Sequence, residues 1–110
     1  MVFQEKRRFR RIAITMPIDY LGEKLLQFRK ITDISQGGVF IKTNKVEPPG
    51  TKVKLILIFP DSDESIEVDG VVVRISRDVP IGGMGIMFTQ IPTYLKHKLQ
   101  EIERQKGAGE

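Results

Sequence analysis

Cysteine is absent from this chain of 110 residues, which excludes a disulfide framework and any thiolate metal site. Histidine occurs once, at His97, between Lys96 and Lys98. A catalytic triad or a histidine-based metal site needs partners that the sequence does not place near it. His97 therefore reads as a solvent-facing helix residue, and no catalytic or metal-binding residue is assigned. Long apolar runs are also missing. None approaches the ~20 residues that cross a bilayer as a helix, so no membrane insertion is expected. The N-terminus has charge with no apolar stretch behind it, so no secretory signal is expected, and the expected location is the cytoplasm. Asp61, Asp63 and Glu64 lie close together but lack the spacing and length of a calcium loop. They read as a solvated turn.

What the chain does have is charge concentrated in one place. Hydrophobic residues at 40% and charged residues at 29% suit a single globular domain with one modest core. The formal net charge is +4, and all of it lies in residues 5–11, where five cations accompany one anion. The other thirteen basic and thirteen acidic residues cancel. The protein is thus a neutral body with one basic arm. A nucleic-acid surface would need a charged face on the body as well, so nucleic acid is disfavoured and a small anion, or a short anionic segment, caught at one place is favoured. The rival from another class is a small barrel whose arm tracks nucleic-acid phosphates, with the steep salt dependence this brings.

Beyond the arm the pattern has period two. Ile12, Ile14, Met16, Ile18 and Tyr20 alternate with smaller or polar residues, as in a half-buried strand. Pro17 marks an edge or a bulge. Gly22 and Glu23 form a turn, and residues 24–34 read as a second strand whose phase is blurred by Leu25, Leu26 and Ile31. Residues 38–43 make a short third strand, 52–59 a strong fourth and 66–76 a long fifth, with Gly70 as a bulge or bend. Residues 80–83 make a turn and 84–89 the last strand. Then the period changes. Pro92 suits the first turn of a helix, and Leu95, Leu99 and Ile102 form a narrow apolar stripe. Residues 106–110 are expected to fray. Six short strands followed by one helix predict a small β-barrel or sandwich with the helix over one end.

Two stretches stand apart. The arm reads EKRRFRRI over residues 5–12, and TDISQGGVFI follows over residues 32–41. Asp33 and Ser35 can bond nearby backbone, and Gly37 and Gly38 follow at once, so taken alone the second stretch is a hairpin connection. Together the two stretches resemble the PilZ domain, the bacterial receptor module for cyclic di-GMP. That family carries RxxxR on an N-terminal arm and [D/N]xSxxG on the barrel. Arg7 and Arg11 fit the ends of the first motif; Asp33, Ser35 and Gly38 fit the fixed positions of the second. The later stretches DGVVVRIS and GGMGIMF, with Gly85 and Phe88, are similar to the family too. The resemblance implies a six-stranded PilZ barrel over residues 12–90, a basic arm over 1–11, and a helix with its tail over 91–110.

The resemblance further implies a non-enzymatic receptor or adaptor that takes cyclic di-GMP as ligand, uses no cofactor, and signals to an effector protein. A PilZ-like module used only for protein contacts is the third reading. The chemistry of the residues agrees with the ligand. An arginine fork bonds phosphate bidentately and also matches the O6/N7 edge of guanine, which lysine cannot do. Asp33, an acceptor when ionised, suits the N–H donors of guanine. Ser35 can donate to phosphate or hold Asp33, Gly38 would keep the surface clear, and Gly37 beside it is a further ligand-binding candidate. Arg74 interrupts an apolar run and is a further candidate for stacking on a base. Phe9, inside the arginine run, is expected to anchor the arm on the barrel, the alternative being that it covers a bound base. Met84 and Met87 are assigned to the core and the strand. Within the family, a basic residue before the first motif arginine goes with two stacked ligands. Lys6 holds that place, and with Arg8 it would supply charge for a second ligand.

Overall fold

The computed structural model describes residues 9–77 and 82–108. Strand β1 spans Ile12–Leu21, and its alternation is real: Ile12, Met16, Ile18 and Tyr20 are buried while Ala13, Thr15 and Pro17 are exposed. The pairing of β1 with β2 (Leu26–Ile34) shifts by one residue between Ala13 and Met16. Pro17 follows this bulge and lies outside the stretch Ile18–Leu21 that pairs with β4. Its missing N–H therefore costs no ladder bond on that side.

Strands β3 (Gly38–Lys42), β4 (Lys52–Phe59), β5 (Glu64–Ser76) and β6 (Gly83–Gln90) complete one antiparallel sheet in the order β2-β1-β4-β5-β6-β3. Several boundaries differ from expectation. β2 begins at Leu26 because Gly22 N–H bonds Leu25 C=O and takes Lys24 and Leu25 into the turn. β5 begins at Glu64, since Asp63, in a left-handed conformation at φ 58°, completes the turn after Phe59 within four residues. The expected irregularity at Gly70 is present, as the β5–β6 register shifts between Asp69 and Gly70. A second shift falls between Val72 and Arg74. The turn expected at residues 80–83 lies partly outside the described residues, and Gly83 itself is in β6.

The end strands β2 and β3 follow one another in the chain, so the sheet curls into a nearly closed barrel. The seam between them is held by side chains. Gln27 Nε2 donates to Lys45 C=O at 2.9 Å and Thr43 Oγ1 donates to Gln27 Oε1 at 2.8 Å. Beside them Tyr20 O–H donates to Glu47 Oε1 at 2.5 Å and Lys24 N–H to Glu47 Oε2 at 2.8 Å. Gln27, Thr43 and Glu47 are all buried, and each is satisfied, which is what makes their burial tolerable.

Helix α1 (Thr93–Ala108) starts where Pro92 C=O accepts Lys96 N–H. Leu95 and Leu99 are wholly buried in the barrel core and Ile102 packs at its margin, so the predicted stripe is the buried one. Lys98 lies over the Phe59 ring and pairs with Glu64, while Tyr94 O–H donates to the same carboxylate. The helix thus closes the barrel end at the β4–β5 turn. It continues through Ala108, past the point where fraying was expected.

Candidate functional site

The register of β1 on β2 assembles the site. Ile12 pairs with Ile34 and Ala13 with Asp33, so the root of the arm emerges beside the second motif although about twenty residues separate them in sequence. Arg11 uses this proximity: its Nε lies 2.8 Å and its Nη2 2.7 Å from Asp33 Oδ1. The two motifs therefore meet directly, with the Asp33 carboxylate held by arginine. Arg10 points elsewhere, 3.6 Å from Glu103 on the helix. Lys6, Arg7 and Arg8 lie outside the described residues.

The turn after β2 is self-supporting. Ser35 and Gly38 exchange backbone bonds, and Ser35 Oγ accepts Gly37 N–H at 3.1 Å. Ser35 is buried. Its hydroxyl is engaged with the backbone of its own turn, and among the described residues it makes no bond to Asp33. Gly37 C=O accepts Phe88 N–H, which fastens the turn to β6. A Cβ on Gly38 would lie 2.0 Å from Ile86 C=O, so this glycine permits β3 to approach β6. Gly37 is the glycine that faces the arm. A Cβ there would touch the Phe9 ring at 3.3 Å, so Phe9 lies against the turn and also lines the pocket beside it.

Between Phe9, the turn and the outer faces of β5 and β6 lies a pocket of about 570 Å³, a size that suits a nucleotide-like ligand. Arg11, Ser35, Gly37, Gly38 and Arg74 all line it. Five of the nine candidate residues thus share one cavity and Asp33 is bonded at its edge. The far wall was not foreseen. Phe40, Val73, Gly85, Met87 and Ile91 form it, and Met87 faces outward into the pocket, unlike core-bound Met84. The signal was the β6 alternation, which puts residues 83, 85 and 87 on the face opposite Met84 and Ile86.

The family profile of the PilZ domain matches residues 5–105: the chain belongs to the PilZ domain family. The fold is similar to that of the inhibitor of motility MotI/DgrA from Bacillus subtilis, with a TM-score of 0.75 at 20% identity over 91% of this chain. The chain spans about half of that protein, 51% of its length. It is also similar to the PilZ domain of YcgR from Escherichia coli, solved with c-di-GMP (TM-score 0.69, 15% identity, 92% of this chain and 94% of that one). A third similar structure is the PilZ domain of CeSA from a cellulose-synthesizing bacterium (TM-score 0.64, 15% identity, 88% of this chain and 98% of that one). No curated protein matches the sequence. Among the described residues no helix is long and apolar enough to cross a membrane.

Proposed function

We propose that this PilZ domain is a receptor module that binds cyclic di-GMP in the pocket between its arm and its second motif, and that it is not an enzyme. The carrying observation is the convergence of Phe9, Arg11, the Ser35–Gly38 turn and Arg74 on one cavity. The YcgR domain, solved with the same nucleotide, supports the choice of ligand. Arg7, Arg8 and Arg11 take the phosphates and the O6/N7 edge of guanine through their planar forks. Asp33, with one oxygen committed to Arg11, offers the other to the N–H donors of a guanine.

Ligand binding then changes the arm. Phosphates neutralise arginines that otherwise repel one another, and contacts made only in the closed state supply the free energy of ordering. Phe9 and Arg11 already touch the barrel, so the change extends an existing contact. The rearranged arm presents a new face to an effector protein, an order–disorder switch. Isothermal titration with cyclic di-GMP, GMP, GTP and single-stranded DNA tests the reading. Cyclic di-GMP alone should bind tightly, and Arg7→Ala or Arg11→Ala should each lose about 10- to 100-fold. Lysine at either position should recover part of this, because charge returns without the fork. A double alanine variant that binds as wild type removes the arm from the site, and DNA binding with steep salt dependence favours the nucleic-acid rival.

A further inference from the structure

Apolar side chains on the outside of a barrel are ordinary when they stand singly. At one end of β1 and β2 they stand together. Leu26 and Phe28 of β2 are 63% and 70% exposed, and they point outward because Gln27 and Ile31 point in. On β1 the outward residues are Pro17, Asp19 and Leu21. The register sets Lys30 beside Pro17, Phe28 beside Asp19 and Leu26 beside Leu21. On its other side Asp19 pairs with Ile56 of β4, which is half-buried and also outward. None of these residues lines the pocket, so a nucleotide bound there leaves this face open.

Asp19 is therefore ringed by apolar neighbours: Phe28 and Ile56 across the sheet, Pro17 and Leu21 along its own strand. It is half-buried, and among the described residues it makes no ion pair. A surface that covers this face must bring apolar bulk and set a cation over its carboxylate, because a buried charge without a partner is costly. The cation is present on the face itself. Lys30 is exposed and makes no ion pair among the described residues either. Lys54, which pairs with Leu21 across the sheet, is instead held by Glu67 at 3.1 Å. One free acid and one free base thus flank Phe28 and Pro17 on a single patch. Such a patch bonds a copy of itself twice through one two-fold axis. With the axis along the Pro17–Phe28 diagonal, Phe28 meets Phe28 of the second copy, and Asp19 of each copy lies over Lys30 of the other. An unrelated partner would have to match both charges separately, whereas a second copy supplies them by symmetry.

We propose that the outer face of β1 and β2 is a two-fold interface between copies of this chain, with Phe28 at its centre and two Asp19–Lys30 pairs beside it. Sedimentation equilibrium of the full chain without nucleotide tests this over a range from micromolar to millimolar. The mean mass should pass from one chain to two as concentration rises. One chain throughout overturns the proposal and leaves the face to a different protein. Phe28→Thr keeps a β-branched residue on the strand and removes the ring. It should weaken association roughly 10-fold or more, as loss of a central aromatic does, and association at wild-type strength overturns the interface.

Charge reversal tests the pairing itself. Asp19→Lys sets two bases against each other at both pairs, and Lys30→Glu sets two acids against each other. Each variant alone should stay single at concentrations where wild type associates. Mixed in equal amounts the two should associate with each other, because every pair then joins a base to an acid. Variants that associate alone as wild type does, or a mixture that stays single, overturn the two-fold pairing. Lys30 and Phe28 are exposed, so Lys30→Glu and Phe28→Thr decide the matter by themselves should Asp19→Lys fail to fold.

Discussion

Ser35 and Asp33 belong to one motif and answer to different forces. Asp33 is partly exposed and bonded to the arm, whereas Ser35 is buried and bonded to its own turn. Substituting each by alanine should separate binding from stability. Asp33→Ala should leave the melting temperature nearly unchanged, as surface substitutions do, while weakening cyclic di-GMP. Ser35→Ala leaves the Gly37 N–H without its acceptor, a loss of about 1–2 kcal/mol, or several degrees in melting temperature for a domain of this size. Gly38→Ala should be worse than either, because its Cβ meets the Ile86 carbonyl of a neighbouring strand and neither backbone can give way cheaply. Thermal melts of the three variants, ranked Asp33, Ser35, Gly38 in rising damage, check this; a neutral Gly38→Ala would contradict the close approach. The motif residues were legible in the sequence as a cluster of turn formers. Which of them hold the turn was not, because that depends on how closely β6 passes, a fact set by a strand some fifty residues away.

At the scale of elements, β2 explains why its phase was hard to read. Gln27 and Ile31 are buried with Arg29 and Asp33 half-buried between and beyond them, Leu26 and Phe28 are largely exposed, and Ile34, on the even-numbered positions, is buried again. At Leu26–Phe28 the usual sense of alternation is reversed, because here the strand lies at the seam where side chains such as Gln27 take over the bonding. β1, β4 and the helix, which face an ordinary core, were read correctly from period alone. The seam also carries a titration signature. Burial, then the hydrogen bond to Glu47 and the charges of Glu47 and Glu23, push the Tyr20 phenol above its ordinary range. The folded state therefore prefers the neutral phenol. This contribution is complete below the unfolded value of about 10 and is lost as pH rises past it. Tyr94 is raised as well, chiefly by its bond to Glu64. In a Tyr94→Phe variant, where Tyr20 is the remaining tyrosine, phenolate absorbance should appear above the ordinary range and together with the loss of the sheet signal in circular dichroism. Phenolate formed near the ordinary value in an intact barrel would refute the Tyr20–Glu47 clasp.

For the whole molecule, the charge distribution bears on how many ligands one domain takes. The body is neutral and residues 5–11 carry +4. One cyclic di-GMP brings two phosphodiester charges, so a single ligand leaves the arm half neutralised, and a second, stacked on the first, balances it. Stacking two dinucleotides places their phosphates near one another, which needs cations that the barrel does not provide, as Arg74 is held on the apolar wall, while in the arm Arg10 is drawn to Glu103. The extra charge has to come from the arm, and Lys6 and Arg8 are the residues outside the RxxxR ends that carry it. Lysine has no fork for a second guanine edge, so its part is electrostatic and should be sensitive to salt. Titration of active protein at known concentration is expected to give two ligands per chain at low ionic strength. Lys6→Leu should bring this to one while leaving the first binding step near wild-type affinity. A stoichiometry of one in wild type, unchanged in Lys6→Leu, would mean that the first ligand satisfies the arm and that Lys6 faces solvent or an effector instead.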